Sequence, residues 1–314
     1  MTQQFSLAVR NFVGPKEVPD IDEIVRYAVR AEELGFESLW AFDHLLLGVD
    51  PCFPILDSLS TLIAIATRTS RIKLGTGVMV LPLRNPVWTA KLTASLDQIS
   101  KGRFILGAAA GWYRREFDAV GIPFDARGRL FERGLDLILR LWRGEPVTEN
   151  LDGLNLREAV IQPRPYQQPR PPVLIGGYVD RVLRRVARLG DGWLTYAYTP
   201  EGFAKSWNKI KTFAREYGRN PDDLTATNQV AIYIGPPEAE ADVEMRKWLT
   251  TEWDFAAWSD STVEHAVRGT VDECVRQLQP YVTSELDRII FIPYRYRPEQ
   301  VELLAREVLP RLKG

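Results

Sequence analysis

Two rhythms alternate along this chain. Short apolar runs suit buried strands, and longer stretches with an apolar residue every three or four positions suit helices packed on them. Phe5 to Arg10 is the first run, and Ile21, Ile24, Val25, Ala28, Ala31 and Leu34 mark a helix over Asp20 to Leu34 that Gly35 stops. A strand at Ser38 to Phe42, a helix over Ile55 to Thr67, a strand from Ile72 and a helix over Pro86 to Ile99 follow, the proline suiting a first helical turn. A fourth strand, Phe104 to Ala109, leads to a helical stretch from Asp125 to Leu141. The pattern lapses over residues 143–172, where Gly144, Pro146, Gly153 and the prolines from Pro163 to Pro172 exclude a helix or a central strand. That segment is predicted as an excursion over the mouth or side of the fold.

The alternation then resumes with a strand at Val173 to Ile175, a helix over Asp180 to Leu189, a strand at Gly192 to Tyr196 and a helix over Glu201 to Tyr217. A strand from Leu224 to Ile234, helices between Pro237 and Leu278, a strand at Arg288 to Ile292 and a helix from Pro298 to Leu309 complete the chain. The prediction is an α/β fold, a (β/α)8 TIM barrel forming one domain over residues 1–314, with an insertion after the fourth strand and extra helices before the eighth. A doubly wound sheet is the rival. Its GxGxxG fingerprint should open the first βαβ unit, whereas Gly75-Thr76-Gly77 lies in the third strand and runs on into Val78-Met79-Val80.

Charge and composition narrow the chemistry. With 40 basic and 41 acidic residues the chain has no overall field to draw nucleic acid or an anionic membrane. Arg181, Arg184, Arg185 and Arg188 fall at helical spacing and read as a solvated face, a phosphate-binding arginine among them being left open. Cys52 and Cys274 lack metal-ligand spacing and read as unpaired thiols. Two histidines, His44 and His265, form no metal motif, so no metal is expected, and no GxSxG elbow is present. The N-terminus lacks a signal-like segment and no apolar run is long enough to span a bilayer, so the expectation is a soluble, cytoplasmic protein.

Ligands of parallel, helix-wound sheets sit beyond the carboxyl ends of the strands, and four strand ends here carry glycine, an aromatic ring or a charge. Gly75, Thr76, Gly77 and Val78 place two glycines in a strand, a pattern that marks a bulge or a backbone pressed against a ligand. Ala109 and Ala110 leave room for a planar group, and Trp112 either walls that space or anchors the core. Gly176, Gly177 and Tyr178 put bare amides before a helix, a setting for phosphate. His44 ends the second strand and is the candidate for moving a proton or orienting a substrate, unless it caps the loop or bonds Asp43. His265 either lines the mouth from a loop or lies on a helix surface. Phe12, Trp40 and Tyr196 would give the substrate pocket an apolar lining or fill the barrel core. Arg84 either shapes the pocket or bridges across its rim, while Arg127 or Arg129 is expected to pair with Glu132 or Glu116. A hydrolase using Asp43 and Glu116 as acid and base is a further alternative.

Six spaced blocks carry a resemblance. They are Gly75-Thr76-Gly77-Val78, Pro82-x-Arg84-x-Pro86, Ala94-Ser95-Leu96-Asp97-x-x-Ser100-x-Gly102-Arg103, Gly111-Trp112-x-x-x-Glu116-Phe117, Arg127-x-Arg129 and Gly176-Gly177. Through about residues 5 to 295 the chain resembles the bacterial-luciferase-like superfamily of flavin-dependent oxidoreductases, which also contains coenzyme F420-dependent members. The resemblance implies a flavin or deazaflavin ring at the carboxyl ends of the strands, over a bulged third strand with a non-proline cis peptide between Gly75 and Met79, and a cofactor phosphate at Gly176-Gly177. It further implies one of two chemistries. In the first, FMN arrives reduced from a separate reductase and, with dioxygen, puts an oxygen atom into a small or medium organic substrate. In the second, a hydride moves at F420, whose tail would meet Arg181, Arg184 or the excursion. A homodimer is expected from the same resemblance, and a flavin-binding protein without turnover is the non-enzymatic alternative.

Overall fold

The structure is a computed structural model and describes residues 3–48, 52–151, 153–252, 260–282 and 285–312. Strands β1 (Gln4–Ala8), β2 (Ser38–Ala41), β3 (Lys73–Thr76), β5 (Phe104–Ala109), β8 (Val173–Gly176), β9 (Gly192–Tyr196), β10 (Thr225–Ile234) and β12 (Arg288–Pro293) pair in parallel in that order. Because β12 also pairs with β1, the sheet closes into an eight-stranded barrel. The strands and helices are those the apolar rhythm predicts, with ends moved by a few residues. A short β4 (Met79–Val80) continues β3 after a break, and β11 (Val267–Gly269), which the rhythm does not reveal, extends the sheet beside β10.

Helix ends follow local chemistry. Asp20 caps α1 (Ile21–Glu33) by accepting from Asp22 N and Glu23 N, and Ile24, Ala28 and Ala31 turn inward at helical spacing. After α2 (Ser58–Ala66), Asn85 caps α3 (Pro86–Ser100) ahead of its proline, and Thr199 does the same for Pro200 of a later helix. One apolar cluster fills the space between strands and helices, and a second, with Trp40, Ile105, Leu174, Leu194 and Ile290, fills the barrel interior. This leaves the mouth as the place for a ligand.

The insertion after the fourth barrel strand comprises α4 (Arg114–Ala119), α5 (Arg127–Arg143) and an antiparallel hairpin of β6 (Val147–Leu151) and β7 (Leu154–Ala159). Of the two places expected for the excursion, the mouth is corrected here, and the segment runs along α3 on the outside of the barrel. Gln98 Nε2 donates to Arg164 O, Gln167 Nε2 donates to Phe104 O at 2.8 Å, and Leu106 N donates to Pro172 O at 2.9 Å. These partners lie where α3 ends and β5 begins, so the segment braces the end of the barrel opposite the mouth. The prolines flank the hairpin, which escaped prediction because its strands stand outside the barrel.

Past α6 (Asp180–Leu189) and α7 (Pro200–Glu216), the extra elements before the last barrel strand include α8 (Glu238–Lys247), α9 (Asp260–Glu264) and α10 (Val271–Val282). Part of the helical region predicted between Pro237 and Leu278 lies outside the described residues. Helix α11 (Pro298–Leu303) follows β12. Cys52 is exposed in the loop after β2 and Cys274 is buried in α10, neither in a disulfide. No helix among the described residues is long and apolar enough to cross a membrane.

Candidate active site

The third barrel strand is broken where the sequence puts its glycines. Gly75 pairs with Ile105 but Met79 pairs with Ala108, so three residues of this strand oppose two of β5, a bulge. The Gly77–Val78 peptide within it is cis. Thr76 Oγ1 donates to Gly107 O at 2.7 Å and accepts from Gly107 N at 3.1 Å, taking over the ladder at the break. Gly107 has to lack a side chain, since a Cβ there would lie 2.0 Å from Thr76 O.

Above the bulge opens a cavity of about 1300 Å³. Gly77 and Val78 line its base with Ala109, Ala110, Gly176, Gly177 and Gln229, while His44, Trp112, Tyr178, Tyr196 and His265 stand around it. Gly177 takes a φ of 133°, which leads its chain into the N-terminus of α6, where no side chain caps the free amides.

Four sequence candidates fall elsewhere and are corrected. Gly75 and Thr76 do not line the cavity: a Cβ at Gly75 would lie 2.4 Å from the Trp40 ring, so this glycine makes room for an indole inside the barrel, and Thr76 serves the bulge. Trp40 itself is core, its Nε1 donating to Ser38 Oγ at 2.8 Å. Phe12 packs edge-on to Phe42 and Tyr296, beneath the loops and away from the open space.

His44 is 12% exposed and its Nδ1 stands 3.2 Å from both oxygens of Glu116. Glu116, 1% exposed, also accepts from Leu45 N at 2.6 Å and Leu46 N at 3.1 Å, so a short helix of the insertion grips the loop that carries the histidine. A carboxylate accepts only, which makes Nδ1 the donor and leaves Nε2 for the cavity. Trp112, half exposed, meets the imidazole edge-on with centroids 6.1 Å apart.

Asp43 does not bond His44. It accepts from Ser58 Oγ at 2.8 Å, Val80 N at 3.0 Å and Arg84, fixing β4 to the loop after β2, and Arg84 also reaches Asp57. Both carboxylates of the hydrolase alternative are therefore spent on structural donors. The expected pairing of Arg127 or Arg129 with Glu132 or Glu116 is also corrected: Arg127 donates to Gly111 O and Phe124 O and covers the Phe124 ring, and Glu132 holds Arg185 and Arg188. Burial pushes the Tyr196 phenol well above its usual range.

His265, left open by the sequence, lines the cavity and bonds Ala197 O through Nδ1 at 2.7 Å. Arg181, one of the arginines left open for phosphate, lies at the rim, whereas Gln229, Thr195, Arg129 and Arg133 went unnoticed as cavity residues, because single polar residues on an apolar strand or a charged helix carry no motif.

The comparisons bear on family and fold. A family model described as luciferase-like monooxygenase matches residues 1–287. The chain is 29% identical to the 4-hydroxyprotoasukamycin monooxygenase of Streptomyces nodosus subsp. asukaensis, over 90% of this chain and 84% of that protein. It is 27% identical to the F420-dependent glucose-6-phosphate dehydrogenase of Amycolatopsis mediterranei, over 93% of this chain and 95% of that one. A monooxygenase from Streptomyces bottropensis shares its fold with a TM-score of 0.80 at 23% identity, over 98% and 99% of the two chains. The chain belongs to the luciferase-like monooxygenase family.

Proposed function

We propose that this protein is an FMN-dependent monooxygenase that uses reduced flavin and dioxygen to oxygenate a small or medium organic substrate. A flavin fits the residues present. Gly77 offers bare backbone and Val78 an apolar side chain at the cavity base, and Gly176, Gly177, Tyr178 and the first amides of α6 would hold the phosphate. The bound flavin would supply the electrons that activate oxygen. This chain's own residues do the rest. Trp112 and Tyr178 shield the cavity from water, and His44, oriented by Glu116, offers Nε2 to steady a substrate oxygen or exchange a proton with it.

One observation carries the choice of FMN. Of the three places named for the longer F420 tail, Arg184 bonds Glu216 at 2.8 Å and covers Phe213, the excursion lies at the far end of the barrel, and Arg181 is left at the cavity. Arg181 of α6, free of any ion pair among the described residues, suits a single phosphate group. An F420-dependent hydride transfer is the second reading, favoured by the His44–Glu116 pair as a ready path for the accompanying proton. Dissociation constants for reduced and oxidised FMN and for F420, measured anaerobically on the purified protein, decide between them. Retention of F420 where FMN passes through overturns the monooxygenase.

A further inference from the structure

We propose that His265 presents to the cavity a hydrogen-bond acceptor that selects a substrate bearing a hydroxyl group, an alcohol or phenol, over the matching hydrocarbon or ketone. The proposal rests on reading the cavity as the substrate site of an oxidoreductase. His265 Nδ1 lies 2.7 Å from Ala197 O, and a carbonyl oxygen only accepts, so Nδ1 carries the hydrogen. In the neutral ring Nε2 then keeps its lone pair. Ala197 can present its oxygen this way because its φ is 51° directly after β9, and Ala197 N donates to Gln229 O at 3.0 Å, which pins the turn to the neighbouring strand. Among the described residues no group donates to His265 Nε2.

The same logic orients Gln229. Its side-chain nitrogen sits 3.4 Å from Gly77 O, which requires a donor, so the NH2 group is turned there and Oε1 is the acceptor left over. Gln229 is 3% exposed and its Oε1 is buried with no partner. That oxygen is closed to the cavity, so it does not compete with His265 Nε2 for a ligand's hydrogen. His265 lines the cavity whose rim carries Trp112, Tyr178 and Tyr198, so a ligand with an apolar body and one hydroxyl, which has one hydrogen to give, satisfies Nε2. A ketone would meet this lone pair with lone pairs of its own, and a hydrocarbon would leave it unpaired.

The chain has two histidines, so labelling with [15N]histidine yields two imidazole signals, assigned with a His265→Gln variant. The full-length protein is titrated with phenol and with toluene, first alone and then with FMN added. The expected result is His265 in its Nδ1–H form, an Nε2 resonance that moves with phenol and not with toluene, and an affinity for phenol about tenfold above that for toluene. That preference disappears in His265→Phe and returns in part in His265→Gln, whose side chain can still accept. An Nε2–H tautomer in the free protein, an Nε2 resonance that phenol leaves unmoved, or an unchanged phenol preference in His265→Phe overturns the proposal. An Nε2 response to phenol in a protein that binds neither FMN nor F420 supports the His265 acceptor and removes the flavin reading alone.

Discussion

Replacing Glu116 by glutamine separates the charge of this carboxylate from its shape. Three donors converge on it, the amides of Leu45 and Leu46 and the Nδ1 of His44, at 2.6, 3.1 and 3.2 Å, and it is 1% exposed. The glutamine oxygen can still accept from both amides, but its NH2 group then faces an N–H of the imidazole. Two donors cannot share one contact, so His44 must move its hydrogen from Nδ1 to Nε2 and present the opposite character to the cavity. Each bond also loses its charge. Bonds to ions contribute about 1.5–3 kcal/mol and neutral ones about 1 kcal/mol, so three such losses come to about 3 kcal/mol. The lower cost of burying a neutral group returns part of this, leaving a net loss of about 2 kcal/mol. Urea unfolding at constant pH measures the stability change from the midpoint, and the imidazole ¹⁵N spectrum reads the tautomer. An unmoved midpoint together with His44 still hydrogenated at Nδ1 would refute the reasoning.

Other outcomes follow from the same geometry. Gly107→Ala drives a Cβ to 2.0 Å from Thr76 O and should cost at least about 3 kcal/mol, so a thermal midpoint equal to that of the parent would show that the bulge has slack. Gly177→Val strains a backbone at φ 133° and sets a Cβ 2.9 Å from Val182, so the FMN dissociation constant should rise at least about tenfold; an unchanged value places the phosphate elsewhere. Burial would raise the Glu37 carboxyl, but the Arg288 guanidinium and further hydrogen bonds bring it down to about 2. A carboxyl depressed on folding contributes stability above its unfolded value near 4 and loses it as pH falls towards 2, here on the order of 3 kcal/mol. Glu37→Gln should therefore be less stable than the parent at pH 6 and differ little near pH 2, and parallel urea curves across that range would contradict the linkage.

The barrel was legible because its signal is repetitive. A strand such as Phe104–Ala109, buried over most of its length, and a helix such as α6, with Leu183, Val186 and Ala187 inward, each show their period within a few residues. The cavity was legible in part, where glycines concentrate. The same glycines misled at Gly75, because sequence shows that backbone is bare and not what approaches it: at Gly75 the visitor is the indole of its own neighbour Trp40. Phe12 and Trp40 misled similarly, since a ring near a strand end can turn to the mouth or to the core. His265 and Gln229 became informative only when folding set Ala197 O and Gly77 O beside them. The fate of residues 143–172 was hidden because proline reports where regular structure stops and not which end of a barrel the chain then crosses.

The exposed Cys52 has a practical use. Burial, helped by Glu273 and Glu238, pushes the Cys274 thiol up to about 12, so at neutral pH a maleimide dye should attach at Cys52 alone. The dye would sit on the loop that carries His44 and is tied at Gly48 to Arg115, so its emission could report ligand arrival in real time without any engineered handle.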